Sequence, residues 1–390
     1  MNYPLLRFTF EYSIQMKLKK FILLFGLISF QTLLLGQWFS GFSNDPKKFI
    51  VQLENRYKGL SAEAVADFTE FKNNWNTGLF SPDQQRYLIE ISQKMRENDY
   101  AMDPFFRLFY RDYTKSLTYE GNKDLVNQWR EIANQMVVGN PVRFQEFLEF
   151  TDLLLYNHAL FSNSLKRWEF DSTAEFKLGM QGGRFYADFS NIILSGKAQY
   201  DTVILETKGR YYAHEKIWDG EFGKVFLRNT DPKDSAFVTF DEFQLKLQSH
   251  QIIVDSALLH YPRFAEKPIS GSFHDKLVDY LDSLTPLTQP KFPRFNSFDN
   301  NIPLNNILGP NSKCVGGLGF KGLVFNTSTV DSKESIATIP YDGKDKVVIK
   351  NRGFVIYKGL VNAEKCAFQV ELDSGKYLKH PSVNLSFNYE

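Results

Sequence analysis

Phe185-Tyr186-Ala187-Asp188-Phe189 and Glu242-Phe243-Gln244-Leu245-Lys246-Leu247-Gln248 decide the fold of this chain. In both runs every second residue is apolar, the mark of a strand with one buried face. Both belong to a longer stretch, Gln181 to Phe273, in which such runs keep returning, and Ala174, Phe176 and Leu178 open the pattern just before it. Each run is too short for a typical helix and is broken by turn residues at Gly182-Gly183, Ser195-Gly196, Asp219-Gly220 and Asp231-Pro232. The stretch therefore reads as the start of a β-rich body.

Inside it, Glu215-Lys216-Ile217-Trp218-Asp219-Gly220-Glu221-Phe222 resembles Glu266-Lys267-Pro268-Ile269-Ser270-Gly271-Ser272-Phe273. Similar short runs, Asp201–Leu205 and Asp255–Leu259, lie upstream of each. Two copies fall short of the three or more that a repeat array needs. A repeat, or two unrelated hairpins with shared turn chemistry, both remain open readings.

Upstream of the β body, from Asp45 to about Phe161, the pattern is helical. Asp45-Pro46, Ser81-Pro82, Asp103-Pro104 and Asn140-Pro141 each put a capping residue before a proline at the first helical position. There the missing N–H costs nothing and the fixed φ suits the turn. Ser81-Pro82-Asp83-Gln84 also has capping-box spacing. Helical runs follow over Ala62–Trp75, Gln84–Arg96 and Leu125–Met136. Leu125, Trp129, Ile132 and Met136 recur at three or four residues, and Phe144, Phe147, Leu148 and Leu154 do the same in the next run. Five or six antiparallel helices are expected.

Near Asn163 the period changes from 3.6 to 2. After Phe273 a short helix is expected over His274–Leu284. Pro286, Pro290, Pro293, Pro303 and Pro310, with Asn296, Asn300, Asn301, Asn305 and Asn306, then read as a linker or long surface crossing. Strands resume at Lys321, with Val347–Ile349, Phe354–Tyr357 and Phe368–Leu372 as candidates. Val383, Leu385, Phe387 and Tyr389 alternate with polar residues up to the last position. An apolar strand face left open there implies a native chain that continues, as an exposed edge is a hazard. A terminal strand that closes a sheet is the alternative.

Met16–Gly36 reads as a secretory signal. Lys17, Lys19 and Lys20 precede the uncharged apolar stretch Phe21–Leu35, and the small Gly36 stands before Gln37. Met16 then marks the true start, with residues 1–15 an over-extended reading frame. An uncleaved anchor is the alternative, and only then does the chain meet a membrane. No cysteine follows to carry a lipid. Removing Met1–Gly36 takes away four cations (Arg7, Lys17, Lys19, Lys20) and one acid (Glu11). The totals of 46 and 45 become 42 and 44, a net charge of −2. A balance so near neutral gives no footprint for nucleic acid. Cys314 and Cys366, the two cysteines present, are too few to define a disulfide framework, and pairing stays open.

A search for chemistry finds little. Gly317-Leu318-Gly319-Phe320-Lys321-Gly322 matches the dinucleotide fingerprint in letters, yet a β-like run follows it where a helix is required. It reads as a glycine-rich hairpin or bulge, and no cofactor is expected. The six histidines form no metal-binding spacing, so no metal is expected either. His158 reads as a helix residue among leucines, and His274-Asp275 as a helix start more than half of an acid–base pair. No catalytic residue stands out. Rings beside charges at Tyr211, Tyr212, Trp218, His260, Tyr261, Arg263 and Phe264 mark a candidate binding surface for sugar or peptide. Packing of the 37 phenylalanines and their neighbours into cores is the plainer reading.

The Lys-Lys/apolar/Gly-Gln signal, the capped helical block and Lys216-Ile217-Trp218-Asp219-Gly220-Glu221-Phe222-Gly223-Lys224-Val225 together resemble the N-terminal part of large, uncharacterised exported proteins of Bacteroidetes-type bacteria. The resemblance implies the cell envelope (periplasm, outer membrane or cell surface) and supplies no catalytic residues. More distantly, the strand pairs with Gly-x-Val turns are similar to the β-jelly-roll or groove domains of lipopolysaccharide-transport proteins.

The expectation is an exported α+β chain. Residues 1–36 are removed, 37–162 form a helical domain, and 163–284 a β-rich domain. Residues 285–312 form the linker and 313–390 a second β-rich region, with sandwich, jelly-roll or solenoid architecture. The leading functional expectation is a non-enzymatic envelope protein with a structural, scaffold or binding role, whose partners are other envelope proteins, a glycan or a lipid. A β-groove carrier of a lipid or glycolipid is the first alternative, and a polysaccharide-active enzyme on a β scaffold the second.

Overall fold

The computed structural model describes residues 41–198, 202–228, 232–277, 291–329, 334–341 and 344–389. The expected signal segment lies outside them. The layout is α+β: among the described residues six α-helices come first, and a large, open antiparallel sheet follows. The chain divides into two compact units, one ending at Tyr110 and the other running from Arg111.

The first unit holds helices α1 (Pro46–Tyr57), α2 (Ala62–Asn76) and α3 (Pro82–Glu97), and the start of α4 (Arg107–Thr118). Their starts follow the cap logic. Asp45 accepts from the Lys47 and Lys48 amides, and Ser81 and Gln84 close a reciprocal capping box. Asp103-Pro104 departs from it. The residue before a proline is pushed toward extended backbone, and Asp103 is extended inside a π-helical turn, Met102–Phe106. The α-helix begins only at Arg107. The Asp103 carboxylate instead accepts from the Arg107 guanidinium at 2.8 Å, and that guanidinium also reaches Glu63 at 2.7 Å. Inside, Phe49, Phe71, Trp75, Phe80 and Tyr110 form a continuous ring cluster.

In the second unit, α5 (Leu125–Met136) buries Leu125, Trp129, Ile132 and Met136, the stripe read from spacing. Helix α6 (Pro141–Asn157) starts at the Asn140 cap and ends at His158, whose left-handed backbone (φ 48°) stops the helix. His158 is therefore a terminator and not a residue within the helix. Phe147 and Phe150 of α6 pack on Phe185 and Tyr211 at 5.5–5.7 Å.

The sheet opens with β1 (Ala159–Ser162) and β2 (Lys166–Glu169), a hairpin laid along β4 (Arg184–Ala198). From β3 (Phe176–Gln181) the strands pair in chain order: β4, β5 (Thr202–Tyr212), β6 (Ile217–Phe226), β7 (Phe237–Lys246), β8 (Gln251–His260), β9 (Ile269–Lys276) and β10 (Arg294–Ser297). His274 and Asp275, expected to start a helix, lie in β9; residues 278–284 are outside the described residues. The proline- and asparagine-rich stretch contributes β10 and β11 (Ile302–Asn305), both paired. The two related sequence runs lead into β6 and β9, the second strands of the β5–β6 and β8–β9 pairs, with β7 between them.

Beyond β10 the strands come in collinear halves. These are β10 and β11, β12 (Lys313–Gly316) and β13 (Gly319–Lys321), β14 (Val324–Asn326) and β15 (Ser335–Pro340), then β16 (Lys346–Asn351) and β17 (Val355–Tyr357). β13 pairs β14 while β12 pairs β15, and β14 pairs β17 while β15 pairs β16. Each long strand is thus interrupted at one level. β18 (Leu360–Glu371) faces β16 and β17 together, and β19 (Tyr377–Asn388) lies along its other side.

Buried hydroxyls and amides fill the interruptions, where ladder bonds are missing and a buried polar group needs a partner. Ser297 accepts from the Leu318 amide, Thr329 donates to the Ser297 carbonyl, and Thr327 accepts from the Phe354 amide. Gly317 has no side chain because one would stand 2.4 Å from the Asn300 amide oxygen. Gly322, with φ 58°, turns β13 into β14. The glycine-rich run is therefore an interruption plus a hairpin, and a strand follows it. Cys314 and Cys366 are both buried free thiols.

Candidate functional site

Strands β4, β6, β7 and β8 share a local departure from alternation. Buried Phe189 and Ile192, Gly220 and Gly223, Phe240 and Phe243, and Val254 and Ala257 each enclose two consecutive exposed residues. Those doublets are Ser190-Asn191, Glu221-Phe222, Asp241-Glu242 and Asp255-Ser256. A regular strand sends neighbours to opposite faces, so two outward residues in a row demand an irregularity. β4 and β8 take it as a register shift, and β6 as a left-handed residue, Phe222 at φ 58°. Side by side, the doublets crease the sheet and leave an open furrow of about 1070 Å³ on its outer side.

The floor includes Phe189, Tyr212 and Phe243, with backbone of Gly209 and Gly220 between. Its charged lining is unbalanced. Asp188, Asp219, Glu221, Asp241, Glu242 and Asp255 stand against Lys208 and Arg210, six carboxylates to two cations, leaving four negative charges. Both cations have partners. Arg210 grips Asp188 through two bonds of 2.6 and 2.8 Å and lies 3.8 Å over the Tyr186 ring. The Asp188 hydrogen bond outweighs partial burial and raises the pKa of its guanidinium. Lys208 bonds Glu221 at 2.7 Å. Among the described residues, Asp219 accepts from the neutral Gln244 amide, at 3.2 Å.

Glu221 and Glu242 sit directly opposite each other on β6 and β7. Cross-strand partners share a face with Cβ atoms about 5 Å apart, and like charges there are destabilising. The Glu221 side chain is 57% exposed, so solvent screens the pair without cancelling it. Above the furrow, Arg184 stacks 4.7 Å over Tyr212 and bonds Glu215 at 2.6 Å.

The residues picked out from sequence separate into two places. Tyr211 and Trp218 are opposite one another on β5 and β6 and are buried, facing inward; Tyr212, next along, lines the furrow. At the end of β8, Tyr261 and Phe264 are buried against Phe325. The Tyr261 hydroxyl and the exposed Arg263 both bond Asp234, at 3.1 and 3.3 Å. Burial raises the Tyr261 phenol well above its ordinary range. His260 stacks on Phe237 at 4.4 Å and meets the Thr239 hydroxyl at 3.0 Å. Burial, then Lys224, lowers its pKa. His274 and Asp275, adjacent on one strand, face opposite sides and form no acid–base pair with each other.

The furrow acids were missed in the sequence, and the signal for them was present. Asp241-Glu242 is a polar doublet set between two apolar pairs, Val238/Phe240 and Phe243/Leu245, whose alternation is out of phase by one residue. Among the described residues, no group of three or more His, Cys, Asp or Glu is arranged to hold a metal ion. No described helix is long and apolar enough to cross a membrane. The chain matches no family model, no curated protein and no solved structure.

Proposed function

We propose that this chain is an exported cell-envelope protein whose β body is a binding module, with the furrow as its contact surface for an extended cationic partner such as a basic segment of another envelope protein. The observation that carries the reading is the Glu221–Glu242 pair: two carboxylates held face to face in an open furrow that keeps four negative charges beyond its internal pairs. A cleft lined by one sign of charge concentrates the opposite sign and speeds its arrival. Export rests on Lys17–Gly36. The strictly sequential antiparallel pairing of β3 to β10 supports a meander over a jelly-roll, whose strands cross between sheets.

The charged lining supports a cationic partner over a lipid. One observation favours a polysaccharide-active enzyme: carboxylates on facing cross-strand positions approach the separation used in glycoside hydrolysis. The acid of such a pair is held protonated by dry surroundings, however, and Glu221 is wet and paired with Lys208.

Fluorescence anisotropy with a labelled decalysine peptide tests the binding reading. Binding that weakens steeply with salt, and falls at least about tenfold in Asp241→Asn/Glu242→Gln, is expected. No binding at low salt, or equal binding by the variant, overturns it. Turnover of a glycan panel, lost in Glu242→Gln, would install the enzyme in its place.

A further inference from the structure

At the far end of the interrupted strands, β15, β16, β18 and β19 form a four-stranded ribbon. Ile339, Val347, Val370 and Leu378 are partners across successive strands, so they share one face; Ala337, Ile349, Phe368 and His380 form the next row on it. The alternate rows are mixed, Thr338-Val348-Gln369-Lys379 and Pro340-Lys346-Glu371-Tyr377, and Lys346 and Glu371 pair there at 2.9 Å. The apolar face emerges toward the edge: Ala337 and Ile349 are buried, while Leu378 is 67% exposed. Among the described residues β19 pairs with β18, and along Tyr377–His380 no described strand is paired to its outer edge.

This edge is positive. Lys376, Lys379 and His380 are exposed, and residues 374–389 contain no acid. Lysine and proline on an edge strand are devices against edge-to-edge pairing. Antiparallel pairing of two copies about Lys379 sets like charges opposite each other, and Pro381, with no N–H to give, limits the stretch open to any added strand to Tyr377–His380. The same lysines favour a strand of opposite charge. We propose that β19 is a strand-addition site for an extended acidic segment of another protein, in which acidic and apolar residues alternate. Its apolar side chains would continue the Val370–Leu378 row, and its carboxylates would meet Lys379 on the opposite face. Main-chain bonds supply the affinity in this mode, and the alternating pockets the specificity.

The probe is a capped seven-residue peptide alternating valine and glutamate, added to the full chain. It carries the charge that the furrow repels, so its fate is independent of the furrow's. The expected result is salt-sensitive binding with slowed amide exchange at Tyr377–His380. Lys379→Glu, a change at an exposed site, should bind about tenfold more weakly, and the valine–lysine counterpart should then slow amide exchange at Tyr377–His380 where it does not in the unmodified protein. Undiminished binding of the valine–glutamate peptide by Lys379→Glu, protection at another strand, or a dimer forming through β19 without peptide would each overturn the proposal.

Discussion

Gly223 of β6 lies directly opposite Phe240 of β7, and the phenylalanine ring occupies the space where a side chain on Gly223 would stand. A Cβ there would be 2.0 Å from the ring, and one on Gly220 would be 2.1 Å from Phe243. The two glycines flank the exposed Glu221-Phe222 doublet, so the crease is floored by rings lying on bare backbone. Gly223→Ala forces the ring to move within a packed face, which costs about 1–3 kcal/mol. Urea denaturation reads the loss. Phe240→Leu in the same chain should recover part of it, and additive losses would show that ring and glycine are not coupled.

The polar filling of the interrupted strands makes a second prediction. Thr327 is fully buried; its hydroxyl accepts from the Phe354 amide at 2.9 Å and lies 3.0 Å from the Ser335 hydroxyl. Thr327→Val keeps the shape and leaves a buried N–H without its acceptor, a loss of about 1–3 kcal/mol. Thr327→Ser retains the acceptor and should fall well short of that. If Thr327→Val loses nothing, the hydroxyl contributes nothing; if Thr327→Ser loses as much as Thr327→Val, packing of the γ-methyl matters as much as the acceptor.

The contrast between these sites and the helices shows what a sequence exposes. A cap is local: Ser81 and Gln84 are three residues apart and satisfy each other's backbone, so four letters carry the whole interaction. The stripe on α5 is likewise one element's own periodicity. The furrow is not local. Whether Asp241-Glu242 separates two strands or creases one long strand depends on its neighbours doubling at the same level. Tyr211 and Trp218 looked like rings beside charges. Alternation with Arg210 and Asp219 sends those charges outward and the rings inward, and only the pairing partners say which side is core. The proline-rich stretch misled for a related reason: Pro303 lacks an N–H, yet β11 still pairs with β12, and Phe295 of β10 is wholly buried.

The Ser81 cap carries its own test. Ser81→Ala removes the acceptor for the Gln84 amide and leaves the Gln84 side chain bonded to a cap that no longer answers it. The expected loss is about 1 kcal/mol. It should appear as faster amide exchange in the first turn of α3, with the strands unaffected. Loss spread evenly over the chain would mean that the cap does more than start one helix.

Asp275 ties stability to pH. The carboxylate is 1% exposed on β9, hydrogen-bonded to the Arg228 guanidinium and, at 2.8 Å, to the Lys276 amide. Burial raises its pKa above the ordinary value, outweighing the downward pull of Arg228 and the amide. A raised value means that the folded state holds the proton more tightly than the unfolded chain. Ionising Asp275 therefore costs stability, and the cost grows as pH climbs from the unfolded value near ~3.9 through the folded one. Below that window the cost is absent. Asp275→Asn cannot ionise, so the variant should gain on the unmodified protein as pH rises from about 4 toward 7, with the midpoints of urea unfolding as the measure. Other carboxylates titrate in both proteins and cancel in the difference. A difference that runs the other way would mean that the Arg228 bond outweighs burial and that the pair stabilises the fold when charged.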